Sequence, residues 1–98
     1  MALEVRDHPE RSRYELLDDG RVVGFTEYHP DQRSDRRGIL VFPHTVVTQP
    51  RRGAGYGTIL VQGALDDVRR KGMTIDPQCP FVADFIDEHP EYADLVAS

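Results

Sequence analysis

The spacing of hydrophobic positions changes along this chain, and each change predicts an element. Between Gly57 and Lys71, the residues Leu60, Val61, Ala64, Leu65 and Val68 recur at helical spacing with polar residues on the other face. That pattern predicts an amphipathic helix lying on a sheet. Arg69, Arg70 and Lys71 suit the negative end of its dipole, and Gly72 is placed to end it. Upstream, Leu3 to Asp7 predicts an edge strand. Tyr14-Glu15-Leu16-Leu17 and Val22-Val23-Gly24-Phe25 flank Asp18-Asp19-Gly20, predicting a hairpin with Gly20 at the positive-φ position and a second strand that reaches Tyr28 or His29. The polar stretch His29 to Gly38 predicts a loop. Ile39-Leu40-Val41-Phe42 begins a buried strand that resumes at Thr45-Val46-Val47. Pro43 removes a ladder hydrogen bond, which predicts a bulge at Pro43-His44. Downstream, Met73-Thr74-Ile75 predicts a short strand, parallel to its predecessor after the helical crossover. Two short helices follow, Phe81 to Glu88 and Glu91 to Val96, split by His89-Pro90; Phe81, Val82, Phe85 and Ile86 are expected in the core.

A length of 98 residues supports one core, so residues 1–98 are expected to form a single domain. No apolar stretch approaches the roughly 20 residues that span a bilayer, and the N-terminus lacks a signal-peptide core, so a cytoplasmic protein without a membrane partner is expected. A net charge of −5 argues against nucleic acid as a partner. Acids gather toward the end of the chain at Asp84, Asp87, Glu88, Glu91 and Asp94, either as a solvated helix face or as a field that steers an amine inward. A monomer or weak homodimer is expected.

The run Gln49-Pro50-Arg51-Arg52-Gly53-Ala54-Gly55-Tyr56-Gly57-Thr58 sits between the β-rich segment and the amphipathic helix. Glycines permit a tight turn and close approach, and the first amides of a helix lack intrahelical acceptors at the positive end of its dipole. Such a junction suits a diphosphate. It is not a P-loop, because the only lysine in the chain is Lys71, far from the run. Nor does Gly53-x-Gly55-x-Gly57 have the Gly-x-Gly-x-x-Gly spacing of a dinucleotide site.

Arg-x-x-Gly-x-Gly does fit, as Arg52, Gly55 and Gly57. This loop resembles the acetyl-CoA pyrophosphate loop of the GNAT acyltransferase superfamily. From Tyr14 to about Leu95 the order of elements, together with Pro43-His44-Thr45-Val46-Val47 and Pro77-Gln78-Cys79-Pro80, is similar to the small, single-domain branch of that superfamily. The resemblance implies an α/β (α+β) chain with a minimal GNAT-like fold: an antiparallel β-meander, one β-α-β crossover and short C-terminal helices. It implies acetyl-CoA as cosubstrate. Backbone at Thr45, Val46, Val47 and Thr48 would hold the pantetheine, and Arg51, Arg52, Gly53, Ala54, Gly55, Tyr56, Gly57 and Thr58 the pyrophosphate. Tyr56 is expected over the ligand or in solvent.

Two residues are candidate catalysts. Pro80 suits a first helical position and leaves Cys79 at an N-cap, where thiolate is favoured; a thiolate there could take an acetyl group and pass it to an amine. Alternatively Cys79 is a small buried residue beside the pantetheine. His44 could instead act as base for direct attack by an amine, or bond a backbone group in the kink. Cys79 and the histidines show no compact metal-ligand spacing, and no metal is expected. The chain lacks the tyrosine that in GNAT enzymes protonates the leaving thiolate, with Phe81, Phe85 and Ile86 on the corresponding helix. An N-acetyltransferase for a small amine or protein lysine is therefore expected, with a non-catalytic acetyl-CoA-binding or sensing module as the alternative.

Overall fold

A computed structural model describes residues 3–31, 38–48 and 55–97. Strands β1 (Leu3–His8), β2 (Arg13–Asp18), β3 (Arg21–Pro30), β4 (Ile39–Val47) and β5 (Thr74–Asp76) form one sheet in the order β1-β2-β3-β4-β5. The first four run antiparallel as a meander, and β5 joins β4 in parallel after the helix α1 (Tyr56–Arg70). The helix α2 (Pro80–Glu88) and a 3-10 helix (Pro90–Leu95) follow, where two short helices were expected. This is the α+β meander with a crossover expected from the sequence.

Local chemistry explains most boundaries. Asp19 and Gly20 both take positive φ, 51° and 86°, the pair required by a two-residue turn whose twist matches the strands it joins. At the other end of α1, Gly72 has φ 72°; its N–H donates to the Arg69 carbonyl and the Met73 N–H to the Val68 carbonyl. These are the paired bonds of a Schellman motif, which close the helix where glycine was expected to close it. His89 ends α2 by donating Nδ1–H to the Phe85 carbonyl at 2.9 Å while its ring stacks on Phe85.

The apolar stripe of α1 is wholly buried. Leu60, Val61, Ala64, Leu65 and Val68 are each at most 1% exposed and pack with Tyr14, Leu16, Phe42, Ile75, Val82 and Phe85. Helix and sheet approach closely at Gly63, where an added Cβ would lie 2.6 Å from Val5. Phe81 departs from the expected core: it is 43% exposed. Phe85 and Tyr92, by contrast, are buried and offer no exposed aromatic surface to a partner. The acids Asp84, Asp87, Glu88, Glu91 and Asp94 all lie on exposed surface, as a solvated face would.

Each of the four tyrosines donates its hydroxyl to an aspartate: Tyr14 to Asp67 (2.7 Å), Tyr28 to Asp7 (2.6 Å), Tyr56 to Asp18 (2.8 Å) and Tyr92 to Asp66 (2.6 Å). Burial and the aspartate partner push the Tyr28 and Tyr92 hydroxyls up to about 12, and raise Tyr14 further. Tyr14, Tyr28 and Tyr92 thus stay protonated at neutral pH, and the four hydroxyl bonds pin helix and turn to sheet.

Candidate active site

The site begins where two strands part. β4 and β5 pair through Ile39↔Thr74, Leu40↔Ile75 and Val41↔Asp76; one further bond, from the Cys79 N–H to the Phe42 carbonyl at 2.8 Å, ties the segment after β5 to β4. Beyond Phe42, β4 continues to Val47 against β3 alone, with no strand on its other side among the described residues. The bulge lies at this point. Val41 and His44 on β4 oppose His29 and Glu27 on β3, so Phe42 and Pro43 together face Tyr28. The expected bulge at Pro43-His44 is therefore present one residue earlier, and it re-aims the strand as the sheet opens.

Alternation decides which backbone groups face the opening. The Thr48 N–H donates to the Val23 carbonyl at 2.8 Å, which turns Thr48, and with it Val46, toward β3. Thr45 and Val47 then direct their N–H and C=O groups to the open edge. Of the four residues expected to offer backbone to a ligand, Thr45 and Val47 face this edge, while the Thr48 amide is already used.

Side chains follow the same alternation. Thr45 faces inward, and its Oγ1 lies 2.9 Å from Oγ1 of Thr26, the residue directly across the strand pair. On its other side the Cys79 thiol donates to Thr45 Oγ1 at 3.4 Å. Cys79 is the N-cap of α2 and Pro80 its first residue, as expected; the thiol is 5% exposed. Thr26 is fully buried. Its part was hidden in the sequence because it depends on the β3–β4 register, although a cross-strand Thr–Thr pair is a recurrent one. His44, adjacent to Thr45, projects from the opposite face and is exposed. The two candidate catalysts are thus not brought together.

At the head of α1, Gly55 is the N-cap with φ 68°, a conformation for which glycine is suited, and a Cβ there would meet nothing within 4 Å among the described residues. The Ile59 N–H donates to the Gly55 carbonyl at 3.1 Å as the first helical bond, so the Gly57 and Thr58 amides have no acceptor within the helix. Gly57 has a packing reason of its own: a Cβ there would collide with the tip of the Phe81 ring. Phe81, Thr58, Asp84, Phe85 and Glu88 line a cavity of about 250 Å³ beside this helix end. Tyr56 does not face solvent. It opens the helix, is 9% exposed, and its hydroxyl reaches Asp18 on the β2–β3 hairpin. Arg51, Arg52, Gly53 and Ala54 lie outside the described residues, as does most of the loop expected from His29 to Gly38.

The described residues gather no group of three His, Cys, Asp or Glu that could hold a metal ion, and contain no helix long and apolar enough to cross a membrane.

Comparison with known proteins gives this geometry a family. Residues 13–95 match the model of the GCN5-related N-acetyl-transferase family. The fold is similar to the NMR solution structure of a candidate GCN5-like N-acetyltransferase from Staphylococcus aureus. That likeness has a TM-score of 0.68 at 18% identity, covering 98% of this chain and 89% of that one. It is also similar to a candidate phosphinothricin N-acetyltransferase (TM-score 0.59, 19% identity, 84% of this chain and 53% of that one). A GNAT-family acetyltransferase from Streptococcus pneumoniae gives a TM-score of 0.56 at 16% identity, over 81% of this chain and 52% of that one. The chain spans about half the length of these last two. No curated protein matches it. With most of its length matched by the family model, and with its sheet parted beside a glycine-capped helix, the chain belongs to the GCN5-related N-acetyltransferase family.

Proposed function

We propose that the chain binds acetyl-CoA along the open edge of β4 and passes the acetyl group to an amine through Cys79. The observation that carries this reading is the meeting of the Cys79 thiol with Thr45, 3.4 Å apart, beside the gap where β4 loses its second neighbour. The residues present suit such a ligand. The backbone groups of Thr45 and Val47 that face the open edge could pair with the amides of a pantetheine arm as an edge strand pairs with an extended peptide. The head of α1 offers the Gly57 and Thr58 amides and an uncrowded Gly55 to a diphosphate.

The chemistry assigned to the chain is short. Cys79 gives up its proton, Sγ bonds to the acetyl carbon, the C–S bond of the thioester breaks, and a proton passes to the leaving sulfur. An incoming amine then bonds to the same carbon and releases Sγ, losing its own proton. Thr45 holds the thiol in place before the first step. His44, on the other face of β4, has no part in this route.

One observation favours the second reading, a module that binds acetyl-CoA without turning it over. All four tyrosine hydroxyls are committed to aspartates, so no phenol faces the opening to protonate a leaving sulfur. The two readings part in a single assay of CoA release against a panel of small amines and lysine peptides. The covalent route predicts amine-dependent release that falls at least about a hundredfold in Cys79→Ala, with acetyl-CoA binding retained, and stays within about threefold in His44→Ala. Tight binding with no release under any amine would select the module.

A further inference from the structure

Eleven of the twelve basic side chains are arginine, whose guanidinium stays protonated and does not accept acyl groups under ordinary conditions. The single lysine, Lys71, is the one side-chain amine in the protein. It sits just past the end of α1, at the opposite end of that helix from Gly55, and its Nζ is held by two carboxylates. Asp7 of β1 lies at 2.7 Å and Asp67 of α1 at 2.9 Å. Both carboxylates are themselves fixed. Asp7 accepts from the Tyr28 hydroxyl of β3, and Asp67 accepts from the Tyr14 hydroxyl of β2 and from Arg70. Lys71 also lies 5.7 Å from the centre of the Tyr14 ring. Elements from across the sheet therefore converge on one amine.

Shielding by bulk does not explain the arrangement. Lys71 is 36% exposed and lies on a cavity of about 620 Å³ between β1 and α1, wide enough for a small acyl donor. For the amine to be acylated, Nζ must lose a proton, its lone pair must bond to the acyl carbon, and the C–S bond of a thioester must break with release of the thiol. Two anionic partners oppose the first of these steps, because they stabilise the charged amine and occupy its hydrogens.

We infer that Lys71 is a guarded amine: the Asp7–Lys71–Asp67 clasp keeps the only side-chain amine of this protein from reacting with an acyl thioester bound by the same chain. The inference rests on the proposed acetyl-CoA function for its donor, and on geometry alone for the guard. The hydrogen bond from Lys71 to Asp7, and then that to Asp67, outweigh burial in raising its pKa, which agrees with a lowered supply of neutral amine.

The test uses the full-length protein carrying Arg11→Lys, which adds an amine on the exposed 3-10 turn after β1 as an internal reference. Acetic anhydride at pH 8 serves as the probe, so that the result does not depend on acetyl-CoA binding, and peptide mass spectrometry reads both sites. Acetylation at Lys71 should run at least about tenfold slower than at position 11, because two carboxylates hold the hydrogens of its charged form. Adding Asp7→Asn or Asp67→Asn should bring the two sites within about threefold. Equal rates with the clasp intact, or an unchanged ratio in both asparagine variants, would overturn the guard. The ratio in the intact clasp needs no destabilising change, so it decides the matter even if an asparagine variant fails to fold. Repeating the reaction with acetyl-CoA separates the two claims: failure of acetyl-CoA to bind would sink the proposed function and leave the anhydride result standing.

Discussion

The two ends of α1 are built on opposite principles. At its C-terminal end Asp67, Lys71, Asp7, Tyr14 and Tyr28 form a closed set in which every charge faces a partner. At its N-terminal end, among the described residues, the helix amides meet a glycine with no neighbour near its Cα hydrogens, and the neighbouring strand edge has lost its second partner. A closed polar set fastens the β1 edge to the helix. Open backbone donors cost stability unless water or a ligand satisfies them, so their concentration in one place points to a binding site. One helix thus carries a fastened end and an end whose backbone donors lack helical partners.

The sharpest way to break the closed end is Asp67→Asn. Burial by itself would raise the Asp67 carboxyl, but hydrogen bonds from Lys71, Tyr14 and Arg70 outweigh it and hold the pKa at about 2, below the ordinary 3.8. The folded pKa is depressed, so the stabilisation is present above the unfolded value and is lost as pH falls from about 4 toward 2. A shift of this size corresponds to about 2 kcal/mol. Denaturant unfolding should show Asp67→Asn less stable by about 2 kcal/mol at pH 7, with the difference from wild type shrinking below pH 4. A difference that did not change with pH would remove the clasp from the account.

At the open end the expected effect is smaller and depends on a neighbour. Gly57→Ala gains helix propensity of about 1 kcal/mol but drives a methyl into the Phe81 ring. The single change should therefore leave stability nearly unaltered, while in a Phe81→Ala background it should stabilise by about 0.5–1 kcal/mol. A double-mutant cycle with no coupling would mean that Phe81 does not rest on Gly57. Smallest of all, Tyr92→Phe removes one hydroxyl bond to Asp66 far from the opening. It should cost about 1 kcal/mol and leave CoA release unaltered; a loss of release would assign that phenol a part in the chemistry.

How much of this was legible depended on the range of the interaction. The α1 stripe, the Asp19-Gly20 turn, the Gly72 stop and the bulge beside Pro43 are set by neighbours in sequence, and each could be read from residue types and spacing. Cys79 at the head of α2 was legible for the same reason, through Pro80. What was hidden is what the fold joins at a distance. Tyr56 reads as part of a glycine loop until the hairpin brings Asp18 under its hydroxyl, 38 positions away in sequence. Lys71 meets Asp7 across 64 positions. Phe81 fits the helical apolar stripe of α2, but it lies at the edge of that stripe and turns to the head of α1 instead. The Thr26–Thr45–Cys79 chain needs both the β3–β4 register and the point at which β5 leaves the sheet.

Mass spectrometry of one sample under two conditions would show whether Cys79 takes the acetyl group. The purified chain is mixed with acetyl-CoA, measured under native conditions, then denatured and measured again with peptide mapping. A one-to-one complex is expected in the first spectrum and a single acetyl group on Cys79 in the second. A complex that leaves Cys79 unmodified would contradict the covalent route, and the absence of any complex would contradict the reading of the open β4 edge as an acetyl-CoA site.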